Sequence, residues 1–305
     1  MSKPILVGLD PKRGDLAPLT LGAAIARLTG APLIALAAYL HDPITNAVAG
    51  GMVEEDVRNE ALRTLEAQTE GTDADLLVSG GPSPARVLHD TAVRLDAAMI
   101  VVGSTTKGPL GRVAPGTTAE RLLHGAPCAV VLATTRCGIG ASWEPRRVGV
   151  GFVDLVDGHA ALRAAAALAH DAGGTLHAMT AIEPLEWGES AVIAPYRSDG
   201  RLETPRAAAQ RALDDALDRL QPEVRASSEV MIARAADALI ELSRHVDLLV
   251  CGSRGHGPLG SVLLGGVSRR LIHRAACPVI VVPRGRERAL EALTGGPAAM
   301  ETGHA

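Results

Sequence analysis

The sequence predicts an α/β protein made of two tandem domains, each a five-stranded parallel sheet flanked by helices. Three observations lead to this fold class. The chain has 305 residues, enough for about two domains of ordinary size. Short apolar runs alternate with Ala-rich segments of helical spacing, a pattern typical of parallel strands joined by helical crossovers. Finally, the second half of the chain repeats the first.

The repeat consists of identical residues separated by a constant 149 positions. It is densest in two glycine-rich stretches, "GSTTKGPLGRVAPGT" at 103–117 and "GSRGHGPLGSVLLGG" at 252–266. Chance does not explain five identities in one ungapped register, so we infer an internal duplication. Five of the identities are Gly103 with Gly252, Pro109 with Pro258, Gly116 with Gly265, His124 with His273, and Cys128 with Cys277.

The elements are predicted in the same order in each half. Each half opens with an apolar run ending in Asp, "ILVGLD" and "VGVGFVD", and carries another apolar run directly before its glycine-rich stretch. Ala-rich segments of helical spacing predict the helices. Strands are expected at 5–10, 32–43, 129–133, 148–154, 175–184 and 279–283. Helices are expected at 18–29, 52–70, 84–95, 159–172, 205–220 and 234–244.

The predicted domain boundary lies in the polar, Gly-containing join at 134–147. We assign residues 1–140 to the first domain, which carries the degenerate glycine stretch. Residues 146–285 form the second domain, and 286–305 form a C-terminal tail.

Composition excludes several classes of function. The formal net charge is −4 and only 2% of residues are aromatic, so the chain lacks the basic surface and stacking platform that nucleic-acid binding requires. The longest apolar stretch, "APLIALAAYL", is about half the length that spans a bilayer, and the first residues lack a signal-peptide core. We expect a soluble, cytoplasmic protein with no nucleic-acid or membrane partner.

The four cysteines predict neither a metal nor a redox site. Cys128, Cys137, Cys251 and Cys277 form no CxxC pair and have no neighbouring histidines at ligand spacing. Cysteine in this setting behaves as a small core residue. We therefore predict no bound metal among these side chains.

Known catalytic and cofactor motifs are absent or out of context. Residues 255–260 spell GxGxxG, but this stretch follows the fourth strand of its half rather than the first, and no acidic residue comes about 20 positions later. We therefore exclude NAD binding. The chain has no Walker A sequence, GxSxG elbow, HExxH or kinase signature. The sequence predicts no catalytic residue and no enzyme.

The glycines favour an anion site. Glycines at the carboxyl end of a strand let main-chain N–H groups approach a phosphate closely. Gly265 and Gly266 directly precede a predicted helix, whose N-terminal amides and dipole favour negative charge. The alternative is that these glycines only make tight turns. Their recurrence at the same strand end in both halves favours a phosphate cradle.

The spacing in the second half resembles the universal stress protein signature. Gly252 and Gly255 are separated by two residues, and nine more precede Gly265 and Gly266. The resemblance covers both halves, from about residue 3 to 284, so the chain is similar to a tandem member of that family. It implies Rossmann-like (HUP-type) domains that bind ATP or another adenine nucleotide, with or without Mg²⁺.

The resemblance also implies roles for individual residues. In the second half, main-chain and side-chain groups on both sides of the loop would line the phosphates: Gly252, Arg254, Gly255, Gly265, Gly266, Val267 and Ser268. Asp154 would meet the ribose or adenine, and Ala181 the adenine edge. One alternative is that Asp154 is only a helix N-cap. A second is that Val153, and not Asp154, occupies the family's Asp position. The corresponding residues of the first half are Asp10, Ala38, Gly103, Gly116 and Thr117.

The two sites depart from the family pattern in different ways. In the second half, Gly266 stands where the family usually has Ser or Thr, and Ser268 could partly substitute for that hydroxyl. In the first half, Thr106 replaces the second glycine and Pro115 removes an N–H beside the anion site. We therefore expect nucleotide mainly in the second half and a weak or empty first site.

The family resemblance completes the functional prediction. Universal stress proteins dimerise through their last strand, so the two halves are expected to pair as an internal pseudo-dimer; a further homodimer or a regulatory partner is possible. The segment 184–203 could form a flap over the nucleotide or a partner surface. We predict a stress-response protein with adenine nucleotide as a regulatory or stabilising ligand. The alternatives are a scaffold without nucleotide and a slow ATP hydrolase.

Overall fold

The computed structural model describes most of both halves, namely residues 2–12, 14–41, 52–103, 117–134, 143–183, 196–198, 201–220, 223–253 and 266–283. The elements of the first half are β1 (Ile5–Leu9), α1 (Ala17–Thr29), β2 (Leu33–Leu40), α2 (Met52–Gln68), β3 (Asp75–Gly81), α3 (Pro84–Arg94), β4 (Met99–Gly103), α4 (Thr117–Leu123) and β5 (Ala129–Ala133). Those of the second half are β6 (Arg147–Gly151), α5 (Val156–Asp171), β7 (Thr175–Ile182), β8 (Tyr196–Ser198), β9 (Arg201–Glu203), α6 (Pro205–Asp218), β10 (Arg225–Ile232), α7 (Ala235–Leu242), β11 (Leu248–Gly252), α8 (Gly266–Arg274) and β12 (Val279–Val282). The predicted α/β fold is confirmed.

Ten of these strands form one sheet, in the order β10-β7-β6-β11-β12-β5-β4-β1-β2-β3. Each half contributes five parallel strands, as the sequence predicted, and the structure shows that both halves arrange them in the same internal order. Only β12 and β5 pair antiparallel within this sheet. The remaining strands, β8 and β9, pair antiparallel with each other in the 184–203 segment, where no strand was predicted.

The β5–β12 ladder joins the halves about a pseudo-two-fold axis. Val131 pairs with Ile280, and these residues are 149 positions apart, the same spacing as the sequence repeat. The flanking pairs, Val130 with Val281 and Leu132 with Val279, exchange with each other under that symmetry. The predicted pairing of the halves through their last strands is therefore confirmed. On the helix layer above, His273 Nε2 lies 3.5 Å from Glu120 Oε1 of the other half.

Apolar residues on both faces of the sheet explain why the strands read as continuous apolar runs. Every residue of β5 and β12 is buried, as expected for a parallel sheet covered by helices on both sides. Two apolar clusters, one on each face, extend through both halves. Cys128, Cys251 and Cys277 form no disulfide with one another and are buried in this core, as predicted; Cys137 lies outside the described residues.

Strand register aligns the halves beyond the glycine stretches. Ile5 pairs with Met99 in the first half, and Val148 pairs with Leu248 in the second. Because Met99 and Leu248 are equivalent in the 149-residue register, Ile5 corresponds to Val148. The α1 and α5 helices keep this offset of 143 positions to their ends, where Gly30 and Gly173 both have positive φ angles, 65° and 59°. Both are glycines because side chains rarely adopt this conformation.

The two halves differ at the start of the first helix. Under that alignment, α5 begins one turn earlier than α1, and its Gly158 corresponds to Asp15. A Cβ placed on Gly158 would lie 1.9 Å from the carbonyl oxygen of Val153. The helix therefore approaches the chain leaving β6 so closely that only glycine fits.

We predict that Gly158→Ala destabilises the protein by about 1–3 kcal/mol or more, because the methyl group would overlap a backbone carbonyl. The matched control is Gly125→Ala, since no atom of the described part of the chain lies within 4 Å of a Cβ at Gly125. The control should change stability by less than about 0.5 kcal/mol. Urea denaturation measures both; equal stabilities for the two variants would contradict the close approach.

Candidate functional site

The carboxyl ends of β6 and β11 form the centre of the candidate site. These strands are neighbours, with Gly151 paired to Cys251, and their crossovers leave in opposite directions along the sheet. Ligands of open α/β sheets bind outside the carboxyl ends of strands at such a switch point. The chain after β6 carries Asp154, and β11 ends at Gly252. The structure thus brings these two predicted residues to the same edge.

Ser268 fixes the start of α8 to the end of β11. Its side chain is buried, and its hydroxyl oxygen lies 3.1 Å from the carbonyl oxygens of both Gly252 and Ser253. Ser253 in turn donates its N–H to Val282 of the neighbouring strand at 2.8 Å. The Ser268 hydroxyl is thus directed at backbone carbonyls, and the N-terminal turn of α8 is held beside Gly252.

The thiol of Cys251 lies under this junction. Burial raises the pKa of Cys251 to about 12, and a hydrogen bond with Ser268 partly opposes that shift. The thiol therefore stays protonated at neutral pH, so it behaves as a core group and not as a nucleophile.

Gly266 is the first residue of α8. Among the described residues, no atom lies within 4 Å of a Cβ placed there. The first N–H groups of a helix have no intrahelical acceptor, so those of Gly266, Val267 and Ser268 carry the positive end of the helix dipole. On the next turn, Arg270 forms an ion pair with Asp237 at 3.1 Å. The charge of that arginine is thus already matched.

Asp154 is exposed and paired with a histidine. Its Oδ1 lies 2.8 Å from His159 Nε2, and the His159 ring packs edge-on against Phe152 at a centroid distance of 5.1 Å. The N-cap of α5 is Leu155, without a side-chain capping bond, so the alternative role of Asp154 as N-cap is wrong. Sequence reasoning missed His159; its position five residues after Asp154 was the available signal.

The register also decides which residue corresponds to Asp10. Extending the alignment of Ile5 with Val148 places Val153, and not Asp154, opposite Asp10. Asp154 therefore lies one residue further along the chain than its counterpart. The same offset aligns Ala38 with Ala181, since β2 and β7 pair with β1 and β6 in equivalent registers.

The first half carries a carboxylate at its site. A Cβ placed on Gly103 would lie 2.8 Å from Asp15 Oδ2, while Asp15 Oδ1 accepts the N–H of Ala17 at 3.1 Å. Asp10 accepts the N–H of Lys12 at 2.9 Å. Thr117 begins α4, which has only seven residues. Sequence reasoning did not single out Asp15, because its proximity to Gly103 depends on the fold.

Four predicted site residues lie outside the described residues: Gly116, Arg254, Gly255 and Gly265. Their roles remain predictions from the sequence. Within the described ranges, no group of three His, Cys, Asp or Glu side chains is placed to hold a metal ion.

Comparison with known proteins identifies the family. The sequence model of the universal stress protein family matches residues 1–134 and again residues 145–283. The chain belongs to the universal stress protein family. Its similarity to a universal stress protein of Mycobacterium tuberculosis is 28% identity over 302 residues, covering 92% of this chain and 99% of that protein. A universal stress protein of Mycolicibacterium smegmatis is 30% identical over 297 residues, covering 91% and 96%.

Solved structures of universal stress proteins share the fold over nearly the whole chain. One from Archaeoglobus fulgidus superposes with a TM-score of 0.65 at 18% identity, covering 93% of this chain and 100% of that one. Another from Pseudomonas aeruginosa gives a TM-score of 0.64 at 15% identity, with 96% of each chain covered. Among the helices described, none has the length and apolar character needed to span a bilayer.

We predict that Ser268→Ala lowers the free energy of unfolding by about 0.5–1.5 kcal/mol, because a buried hydrogen bond to the end of β11 is lost. Ser243→Ala is the matched control. Ser243 is also buried, and its hydroxyl donates to the Ile240 carbonyl and accepts the Ala276 N–H, so its bonds involve neither Gly252 nor Ser253. Chemical denaturation should show a loss for both variants. A Ser268→Ala protein as stable as wild type would contradict the anchoring role.

Proposed function

We propose that this universal stress protein binds ATP or another adenine nucleotide in its second half, as a regulatory or stabilising ligand. The observation that carries the proposal is the N-terminus of α8, which Ser268 fixes beside Gly252 and which no described side chain covers at Gly266. Unpaired helix N–H groups at the carboxyl edge of a parallel sheet are a favourable environment for phosphate. The glycine spacing in the sequence supports the same assignment.

The charges around α8 favour an anion. No acidic residue occurs in its first turn, so nothing on the helix itself repels a phosphate. Arg269 is exposed and makes no hydrogen bond or ion pair with the described residues, whereas Arg270 is matched by Asp237. We assign the phosphates to the N–H groups of Gly266, Val267 and Ser268 and to the predicted loop residues Arg254, Gly255 and Gly265.

The nucleoside end of the ligand would lie towards β6 and β7. Asp154 is exposed and held by His159, which orients its carboxylate for a ribose hydroxyl. Ala181 is the equivalent of Ala38 on the second strand of its half and presents backbone groups near the adenine edge. Asp154 lies one residue beyond the position equivalent to Asp10, so Val153 would contact the base where the first half has a carboxylate.

The first half is a poorer nucleotide site. The Asp15 carboxylate lies against Gly103, at the strand end where a phosphate would approach, and like charges at short range repel. The helix that begins at Thr117 is short. In the sequence, Thr106 replaces the second glycine of the predicted loop and Pro115 lacks an N–H there. These features support occupancy mainly in the second half.

Binding would act through stability and order, and not through a reaction. A ligand that binds only the folded state raises stability by mass action, and it can order the glycine loop for a protein partner. A homodimer would need a surface other than β5 and β12, because those strands already pair within the chain. A protein that never binds nucleotide would be a scaffold of the same fold.

We predict that Gly266→Ser tightens ATP binding by about 10- to 150-fold, because a hydroxyl at the first turn of α8 can donate a charge-assisted hydrogen bond to a phosphate. No described atom lies within 4 Å of a Cβ at this position, so the described residues leave room for the serine side chain. Isothermal titration of nucleotide-free protein with ATP measures the change. Gly266→Ala adds the same Cβ without the hydroxyl and is the matched control.

Three results of this titration decide the proposal. A gain for Gly266→Ser but not for Gly266→Ala is expected. Equal affinities for the two variants would show that no phosphate lies at this turn. If wild-type protein gave no heat with ATP and neither variant changed that, the scaffold alternative would replace the proposal.

We predict that Asp15→Asn raises the affinity of the first half for ATP severalfold, because it removes a negative charge beside Gly103. The measurement uses a Gly255→Val background, in which the second site is expected to be blocked. The charge-matched control is Asp73→Asn, an exposed carboxylate at the opposite end of the sheet. ATP affinities that respond equally to both substitutions would indicate a general charge effect and would contradict the role of Asp15.

A further inference from the structure

The first half contains a polar cleft that the nucleotide proposal does not use. Its volume is about 440 Å³, within the range of small-molecule sites. It lies at the carboxyl ends of β2 and β3, beneath the first turns of α2. The lining residues are Tyr39, Glu54, Glu55, Arg58, Val78, Ser79 and Gly80.

The wall of this cleft depends on close packing between Tyr39 and Gly80. A Cβ placed on Gly80 would lie 2.6 Å from Tyr39 Cε2 and 2.8 Å from His41 Cβ. Glycine at position 80 therefore lets the phenol ring lie across the backbone of β3. The ring packs on one side of the cleft and presents its hydroxyl to α2.

Two side chains from the end of β2 hold the Glu54 carboxylate. The Tyr39 hydroxyl donates to Glu54 Oε1 at 3.2 Å, and His41 Nδ1 lies 2.9 Å from the same oxygen. Burial and then the bond to Glu54 raise the pKa of Tyr39, so the phenol remains a donor at neutral pH. The carboxylate is thus oriented before any ligand arrives.

Arg58 supplies the opposite charge one helical turn away. It makes no hydrogen bond or ion pair within the described part of the chain, although Glu54 is four residues before it on the same helix. The cleft therefore presents a fixed carboxylate and a guanidinium that is not paired with any described carboxylate, separated by about one turn, roughly 5 Å. Ser79 adds a hydroxyl on the floor.

The second half shows that the fold does not require this cluster. Tyr39 pairs with Gly80 on the two outer strands of the first half, and the corresponding pair in the second half is Ile182 with Ile232. Two isoleucines satisfy the same strand positions with no charge and no cleft-forming glycine. Among the described residues, the polar cluster is therefore found at these strand positions only in the first half, which argues for a function beyond packing.

We propose that this cleft binds a small zwitterion that carries an ammonium group and a carboxylate about one helical turn apart. Glu54, supported by Glu55, would receive the ammonium group, and Arg58 would receive the carboxylate in a bidentate pair. The site is separate from the nucleotide site of the second half, and the proposal goes beyond the function proposed above.

The test uses three probes of equal chain length on the full-length protein: 4-aminobutyrate, butylamine and butyrate. Isothermal titration, together with ¹⁵N chemical shifts of residues 54–58, should show binding of 4-aminobutyrate. Each single-charge probe loses one charge-assisted contact and should bind at least about tenfold more weakly. Glu54→Gln and Arg58→Gln should each weaken 4-aminobutyrate by about the same factor.

Asp56→Asn is the matched control, since this exposed carboxylate is on the same helix but does not line the cleft. It should leave the affinity unchanged, and thermal unfolding should show that all three variants remain folded. Equal binding of the three probes, no saturable binding up to about 10 mM, or displacement of 4-aminobutyrate by ATP would each overturn the proposal. Displacement would assign the cleft to a nucleotide site instead.

Discussion

The antiparallel ladder between β5 and β12 is the interaction on which the rest of the structure depends. It is the single antiparallel step in the ten-stranded sheet, and it closes the edge that each five-stranded sheet would otherwise expose. Both strands are fully buried, so breaking the ladder would expose apolar surface in both halves at once. The orientation of each switch point relative to the other follows from this pairing.

Duplication inside one chain leaves the two copies free to diverge. At the position of Asp15 the second half has Gly158, and at the position of Tyr39 it has Ile182. Each difference changes which ligand groups the local surface can bind, while the strands beneath keep the same pairing register. The common sheet provides stability, and the chain segments beyond the strand ends carry the specialisation.

Much of the fold was predictable from the sequence, because the spacing of apolar residues and the internal repeat can both be read directly from the chain. The fold class, the last-strand pairing and the approximate limits of the helices were correct. Strand β5 was predicted with its observed limits, whereas α5 begins three residues before the predicted start at 159. The β8–β9 hairpin was missed because its three-residue strands are too short to show a period.

The site was harder to predict, because its decisive contacts join residues distant in sequence. Nothing near Asp15 indicates that it meets Gly103, and nothing near Ser268 indicates that its hydroxyl is directed to Gly252. The one-residue offset of Asp154 was recognised as an alternative from the sequence, and strand pairing decided it. Side-chain direction at a strand end depends on tertiary packing, which composition and spacing do not record.

The outer strands have a consequence for self-association. The described sheet ends at β3 on one side and β10 on the other, and each leaves a row of main-chain donors and acceptors facing outward. Because the halves are related by pseudo-symmetry, pairing of β3 or β10 with an outer strand of another molecule could be repeated and would build a fibre. Arg225 and Glu229 are exposed along β10, and Asp75 is exposed at the start of β3. Solvated charges at these positions would have to be stripped of water for each added molecule, which raises the free-energy cost of adding a strand at either edge.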